Sequence, residues 1–96
     1  MKISKQLAYE TGKKYNINFD IVNVDDWHYG LNVELEHGSK LGPIANITNN
    51  NIDLTARIAI AHLIEGSDYY KRLRKMEQQM DKYWSTRKKY SIFTVS

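Results

Sequence analysis

At 96 residues the chain has room for one domain built around one modest core. Its composition, 42% hydrophobic and 26% charged, reads as globular; the absence of cysteine excludes a disulfide framework and any thiolate metal site. No apolar run reaches the length of a membrane span, and none follows the lysines of the first six residues, so neither a membrane helix nor a signal peptide is expected. The net charge of +3 is unevenly spread. Up to residue 19, Lys2, Lys5, Lys13 and Lys14 oppose only Glu10; from 20 to 53, Asp20, Asp25, Asp26, Glu34, Glu36 and Asp53 oppose only Lys40. From residue 54 onward, nine lysines and arginines oppose Glu65, Asp68, Glu77 and Asp81. A positive end beside an acidic middle can attract within one fold or between copies, and the basic half suits an acidic partner.

Ile3, Leu7 and Ala8 recur at helical spacing and predict a first helix from Ile3 to Tyr15, weakened in its last turn by Gly12. Asn16 to Val22 is a connection in which Ile17, Phe19 and Ile21 alternate, as in a short extended piece. Asn23 is a good N-cap, and Asp25 and Asp26 complement the positive helix end behind it. Val24, Trp27, Leu31 and Leu35 then make an apolar stripe. The second helix is expected from Val24 to His37, with Gly38 as a left-handed closing residue. Gly30 lies inside that helix at a cost of up to about 1 kcal/mol relative to alanine, which points to close approach by another backbone.

Residues 39–51 contain Gly42-Pro43 and Asn49-Asn50-Asn51, the chemistry of a surface loop. A third helix is predicted from Ile52 or Asp53 to Glu65. It has Thr55, Ile58, Ala59 and His62 on one face and Gly66 at its end. Ser67 is placed to cap a fourth helix, whose Tyr69, Leu73, Met76, Met80 and Tyr83 form an apolar seam that continues through Trp84. Residues 90–96 have the composition of a strand, and Tyr90, Ile92, Phe93 and Val95 call for an apolar surface to cover them, on the same bundle or on a partner chain. The expected fold is therefore all-α. It is a compact bundle of about four helices in one domain, 1–96, with its core in 3–85 and a short extended C-terminal tail at 86–96.

Two short motifs mirror each other. Glu34-Leu35-Glu36-His37 and His62-Leu63-Ile64-Glu65 each hold a Glu and a His three residues apart, on one face of a helix. If the helices run antiparallel, Glu34 lies beside Glu65 and His37 beside His62. Imidazoles and carboxylates so gathered are donors for a divalent metal such as zinc, iron, manganese or nickel. The same groups also suit a buried hydrogen-bonded network that pins a helix crossing. Tyr70 is placed to hydrogen-bond a carboxylate there.

A second pattern is basic. Lys71, Arg72, Arg74, Lys75 and Lys82 occupy the fourth helix, and Arg87, Lys88 and Lys89 follow it, with Tyr83, Trp84 and Tyr90 near enough to stack on bases. Lys71, Arg72, Lys75, Lys82, Arg87, Lys88 and Lys89 are the candidates for nucleic-acid contact, against the plainer reading of a solvated helix face diluted by Glu77 and Asp81. There is no glycine-rich phosphate loop, no Gly-x-Ser-x-Gly motif and no thiol nucleophile, so no complete catalytic set is visible.

Val33-Glu34-Leu35-Glu36-His37-Gly38, Asn46-Ile47-Thr48, Ile58-Ala59-Ile60-Ala61-His62-Leu63-Ile64-Glu65 and Asp68-Tyr69-Tyr70, followed by Leu73 and Met76-Glu77, resemble a family of small uncharacterised domains of bacteriophages and large DNA viruses. The likeness covers roughly residues 24–77. Where the family pattern has a proline before Asp-Tyr-Tyr, this chain has Gly66-Ser67. The resemblance implies a phage or viral setting, hence the host cytoplasm or the virion, and brings no activity. The leading expectation is a small non-enzymatic helical protein that acts through protein contacts, virion-associated or accessory, without a cofactor. A metal-binding domain built on Glu34, His37, His62 and Glu65, hydrolytic in its strongest form, is the second reading, and a nucleic-acid-binding accessory protein is the third.

Overall fold

Among the described residues, three of the four α-helices begin where a side chain satisfies free amides of the first turn. The computed structural model describes residues 2–44 and 46–86. Helix α1 spans Lys5–Lys14; the Ser4 hydroxyl accepts from the Leu7 amide, and Lys13 and Lys14 sit in the last turn, facing the negative end of the helix dipole. Helix α2 spans Val24–Glu34, and Asn23 Oδ1 accepts from the amides of Asp25 and Asp26 at 2.8 and 3.3 Å. Helix α3 spans Ile52–Glu65, capped by Asn51 Oδ1 on the Leu54 amide at 2.9 Å. Helix α4 spans Tyr69–Trp84. Ser67 does not cap it as expected: Asp68 holds the N-cap position, and its carboxylate takes Arg72 instead of a backbone amide.

The second helix ends sooner than its apolar stripe predicts. After Glu34 the chain tightens into a 3-10 turn at Leu35–His37 and a second at Ser39–Leu41. Gly38 between them is not left-handed. It is there for space, because the Asn50 side chain lies where a β-carbon would stand. Asn50 closes the loop by accepting from the Ser39 amide and donating to the Ser39 hydroxyl, at 3.1 and 2.8 Å. Asn49 and Asn50 supply the positive φ of this turn, which asparagine tolerates better than other non-glycine residues. No strand forms at Ile17–Ile21. The tail with Tyr90, Ile92, Phe93 and Val95 lies outside the described residues.

Ile3, Ala8, Val22, Trp27, Leu31, Leu35, Ala56, Ala59 and Tyr70 make the core. Trp27 is its centre, fully buried, with its indole N–H donating to the Ala8 carbonyl at 2.8 Å. Burial of each large apolar side chain contributes about 1.5–3 kcal/mol. Ile3, ahead of α1, is held on α2 by its backbone. Asn32 Oδ1 accepts from the Ile3 amide at 2.8 Å, Asn32 Nδ2 donates to the Ile3 carbonyl at 3.0 Å, and His28 Nε2 stands 2.7 Å from that same oxygen.

These contacts set the helix directions. Ile3 meets residues 28 and 32 and Ala8 meets Trp27, so α1 and α2 run antiparallel. Lys14 and Tyr15, at the end of α1, both bond Asp53 in the first turn of α3. Glu34, the last residue of α2, meets His62 near the end of α3. Asn50, just ahead of α3, bonds Ser39 just beyond α2, so the residue-for-residue pairing of Glu34 with Glu65 that the mirrored motifs suggest does not form: Glu34 meets His62 instead.

The α4 seam is covered only in part. Tyr69 and Leu73 pack on the core and Tyr70 is buried, whereas Met76, Met80 and Tyr83 are 48%, 41% and 50% exposed. Among the described residues, no helix is long and apolar enough to cross a membrane.

Candidate functional site

The polar cluster centres on Glu34. It closes α2 and is only 2% exposed, although it is a carboxylate. Gly30, one turn earlier, explains how it is reached. The Tyr70 ring lies flat against the bare backbone there, and a β-carbon at position 30 would stand 2.6 Å from it. The close approach expected at Gly30 is real, but an aromatic ring makes it, not a backbone. Through that notch the Tyr70 hydroxyl donates to Glu34 Oε1 at 2.7 Å. Burial, and then the Glu34 acceptor, push the Tyr70 phenol far above its ordinary range, so it stays protonated as a donor.

Both histidines of the mirrored motifs converge on this carboxylate. His62 Nε2 lies 3.5 Å from Oε1 and His37 Nε2 lies 3.4 Å from Oε2. The expected pairing of Glu34 with Glu65 and of His37 with His62 is replaced by one carboxylate between two imidazoles. Glu65 is left outboard: its side chain is 68% exposed, and its Oε2 is 3.9 Å from His62 Nδ1. The His62 ring is fixed by stacking on Tyr69, centroids 4.3 Å apart and planes 6° from parallel, with Tyr70 edge-on at 6.4 Å. His37 is nearly half exposed and gives the cluster its opening to solvent. Two buried atoms of this cluster, Glu34 Oε2 and His62 Nδ1, have no hydrogen-bond partner among the described residues. Among the described residues, no three His, Cys, Asp or Glu side chains are gathered into a set that could hold a metal ion.

A second polar region lies along the outer face of α2, in an open cleft of about 1110 Å³ lined by Ile3, His28, Tyr29, Asn32, Arg74 and Glu77, among others. Glu77 accepts from the Tyr29 hydroxyl, and the Arg74 guanidinium lies over the Tyr29 ring at 4.1 Å. Burial first, and the Glu77 bond second, push the Tyr29 phenol up to about 12. These contacts tie α4 to α2 across 48 residues of sequence. Sequence reasoning missed them and the His28–Asn32 hold on Ile3. The available signal was the spacing of His28 and Asn32, four residues apart, and of Arg74 and Glu77, three apart, at positions off the main stripes.

Lys71, Arg72, Lys75 and Lys82 are exposed on α4, as the basic reading requires. The first three surround a shallow surface hollow with Asp68, which holds Arg72 Nε at 2.9 Å. Arg74 turns away to Tyr29. Arg87, Lys88 and Lys89 lie outside the described residues.

The model of a protein family of unknown function, DUF5661, matches residues 8–79, and the chain belongs to that family. The match extends to both sides of the 24–77 likeness and carries no activity with it. No curated protein and no solved structure matches the chain.

Proposed function

We propose that this DUF5661 protein acts through protein contacts rather than catalysis, and that the contact element is the exposed row on α4. One observation carries the reading: Met76 and Met80 stand 48% and 41% exposed one turn apart on a strongly amphipathic helix whose first half is already packed. Methionine is unbranched and polarizable, so such a row adapts to the partner laid against it. Lys71, Arg72, Lys75 and Lys82 flank the row, and Arg72 is drawn to the Asp68 carboxylate. The fitting occupant is an amphipathic helix with apolar residues at helical spacing and acidic flanks, laid along α4 as helices dock in grooves. A virion-associated or accessory role in a phage or large DNA virus, in the host cytoplasm or the particle, is supported by the sequence resemblance alone.

The test uses a labelled Leu/Glu amphipathic helical peptide and a scrambled peptide of identical composition, read by fluorescence anisotropy. The amphipathic peptide is expected to bind and the scrambled one not, with binding lost in Met76→Glu/Met80→Glu at unchanged thermal stability. Equal binding of the two peptides would refute the reading. So would salt-sensitive binding of a DNA or RNA oligonucleotide that survives the methionine changes and disappears in a Lys71→Glu/Lys75→Glu/Lys82→Glu variant, since phosphate contact would then be the role of this face.

A further inference from the structure

The cluster at the end of α2 leaves one oxygen of Glu34 unexplained. Oε1 accepts the Tyr70 hydroxyl at 2.7 Å and faces His62 Nε2 at 3.5 Å. Oε2 is buried, has no hydrogen-bond partner, and points toward His37 Nε2 at 3.4 Å. A buried carboxylate oxygen without a donor calls for a bound water or ion. The 3.4 Å gap is long for an N–H···O bond, whose usual distance is about 2.9–3.0 Å. It matches the separation of two donor atoms on one tetrahedral ion, about 3.3–3.4 Å for bonds of roughly 2.0–2.1 Å.

We propose that Glu34 Oε2 and His37 Nε2 form an open site for one divalent metal of the zinc class, with water filling the remaining positions. The site has two protein donors; among the described residues no set of three or more is gathered there. The donor pair, one imidazole and one carboxylate, selects zinc, cobalt or nickel over magnesium and calcium, which prefer all-oxygen shells. His37 is 46% exposed and gives the ion its way in, while the carboxylate is held from behind. Tyr70 and His62 are positioning residues: they engage Oε1 and so turn Oε2 toward His37. Glu65, outboard of His62, takes no part.

Calorimetric titration of the whole protein with zinc chloride, with magnesium chloride as the control metal, tests this. The expected result is one zinc per chain and no magnesium binding. Zinc binding should be lost in His37→Ala, whose exposed side chain can be removed without unfolding the domain, and unchanged in His28→Ala. Tyr70→Phe keeps both donors and should weaken zinc by about tenfold, as loss of an orienting partner does. No zinc binding, binding undiminished in His37→Ala, or binding lost in His28→Ala would each overturn the proposal.

Discussion

Helices α2 and α4 make opposite use of similar patterns. Helix α2 has 11 residues and buries Trp27, Gly30, Leu31 and Glu34; α4 has 16 and buries only Tyr70. Read as patterns, α4 has the longer and cleaner apolar row. The difference lies in what surrounds them. Helix α2 packs against α1, α3 and α4 at once, so even its polar side chains are drawn inward: Asn32 onto the Ile3 backbone, Tyr29 onto Glu77, Glu34 onto Tyr70. Helix α4 is anchored at Tyr69, Tyr70, Leu73 and Glu77, and its methionine row is left to solvent. A periodic row shows that a helix has an apolar side; the surrounding elements decide whether the fold itself covers that side.

Chemical denaturation of single variants sharpens this contrast. Trp27→Ala is expected to have the largest effect, a loss of about 3–5 kcal/mol from the cavity at the centre of the core. Gly30→Ala comes next and has an instructive sign. Alanine favours a helix by about 1 kcal/mol, but its β-carbon would meet the Tyr70 ring at 2.6 Å, and overpacking costs about 1–3 kcal/mol, so a net loss is expected where propensity alone predicts a gain. Tyr70→Phe should lose about 1–3 kcal/mol by leaving Glu34 Oε1 without its donor.

Alkaline pH weakens the tie between the two helices. The Tyr29 phenol titrates near 10 when unfolded and is raised to about 12 in the fold, so the folded state favours its neutral form. That contribution is complete below pH 10 and is lost as pH rises from 10 through about 12. Melting curves across that window should fall less steeply in Tyr29→Phe than in the parent chain. Met80→Ala should move stability least, within about 0.5 kcal/mol. If it matched Trp27→Ala, the row on α4 would be as covered as α2, and the comparison would collapse.

What could be read from the sequence followed from local chemistry. Asn23 caps its helix as such a residue should, α3 ends at Glu65 before Gly66 as predicted, and the Trp27–Leu31–Leu35 stripe is buried. Tyr70 bonds a carboxylate, as its place suggested, and both histidines reach the predicted cluster. What could not be read depends on direction and distance. The mirrored Glu/His spacing is the same whether two helices run parallel or antiparallel, so it could not reveal that Glu34 alone would sit between both rings and that Glu65 would be left out. Nor could spacing within α4 reveal that Tyr70, one position off the seam, is the buried residue, because that depends on Gly30, 40 positions away.

The two tryptophans divide along the same line. Trp27 is sealed in the core with its indole bonded to Ala8, whereas Trp84 ends α4, partly exposed and edge-on to Tyr83 at 4.7 Å. The chain thus carries two native optical probes in different dielectric surroundings. A water-soluble quencher dims the second while sparing the first, and a ligand laid along α4 shifts the emission of the second alone. Loss of the core is the event that exposes the first.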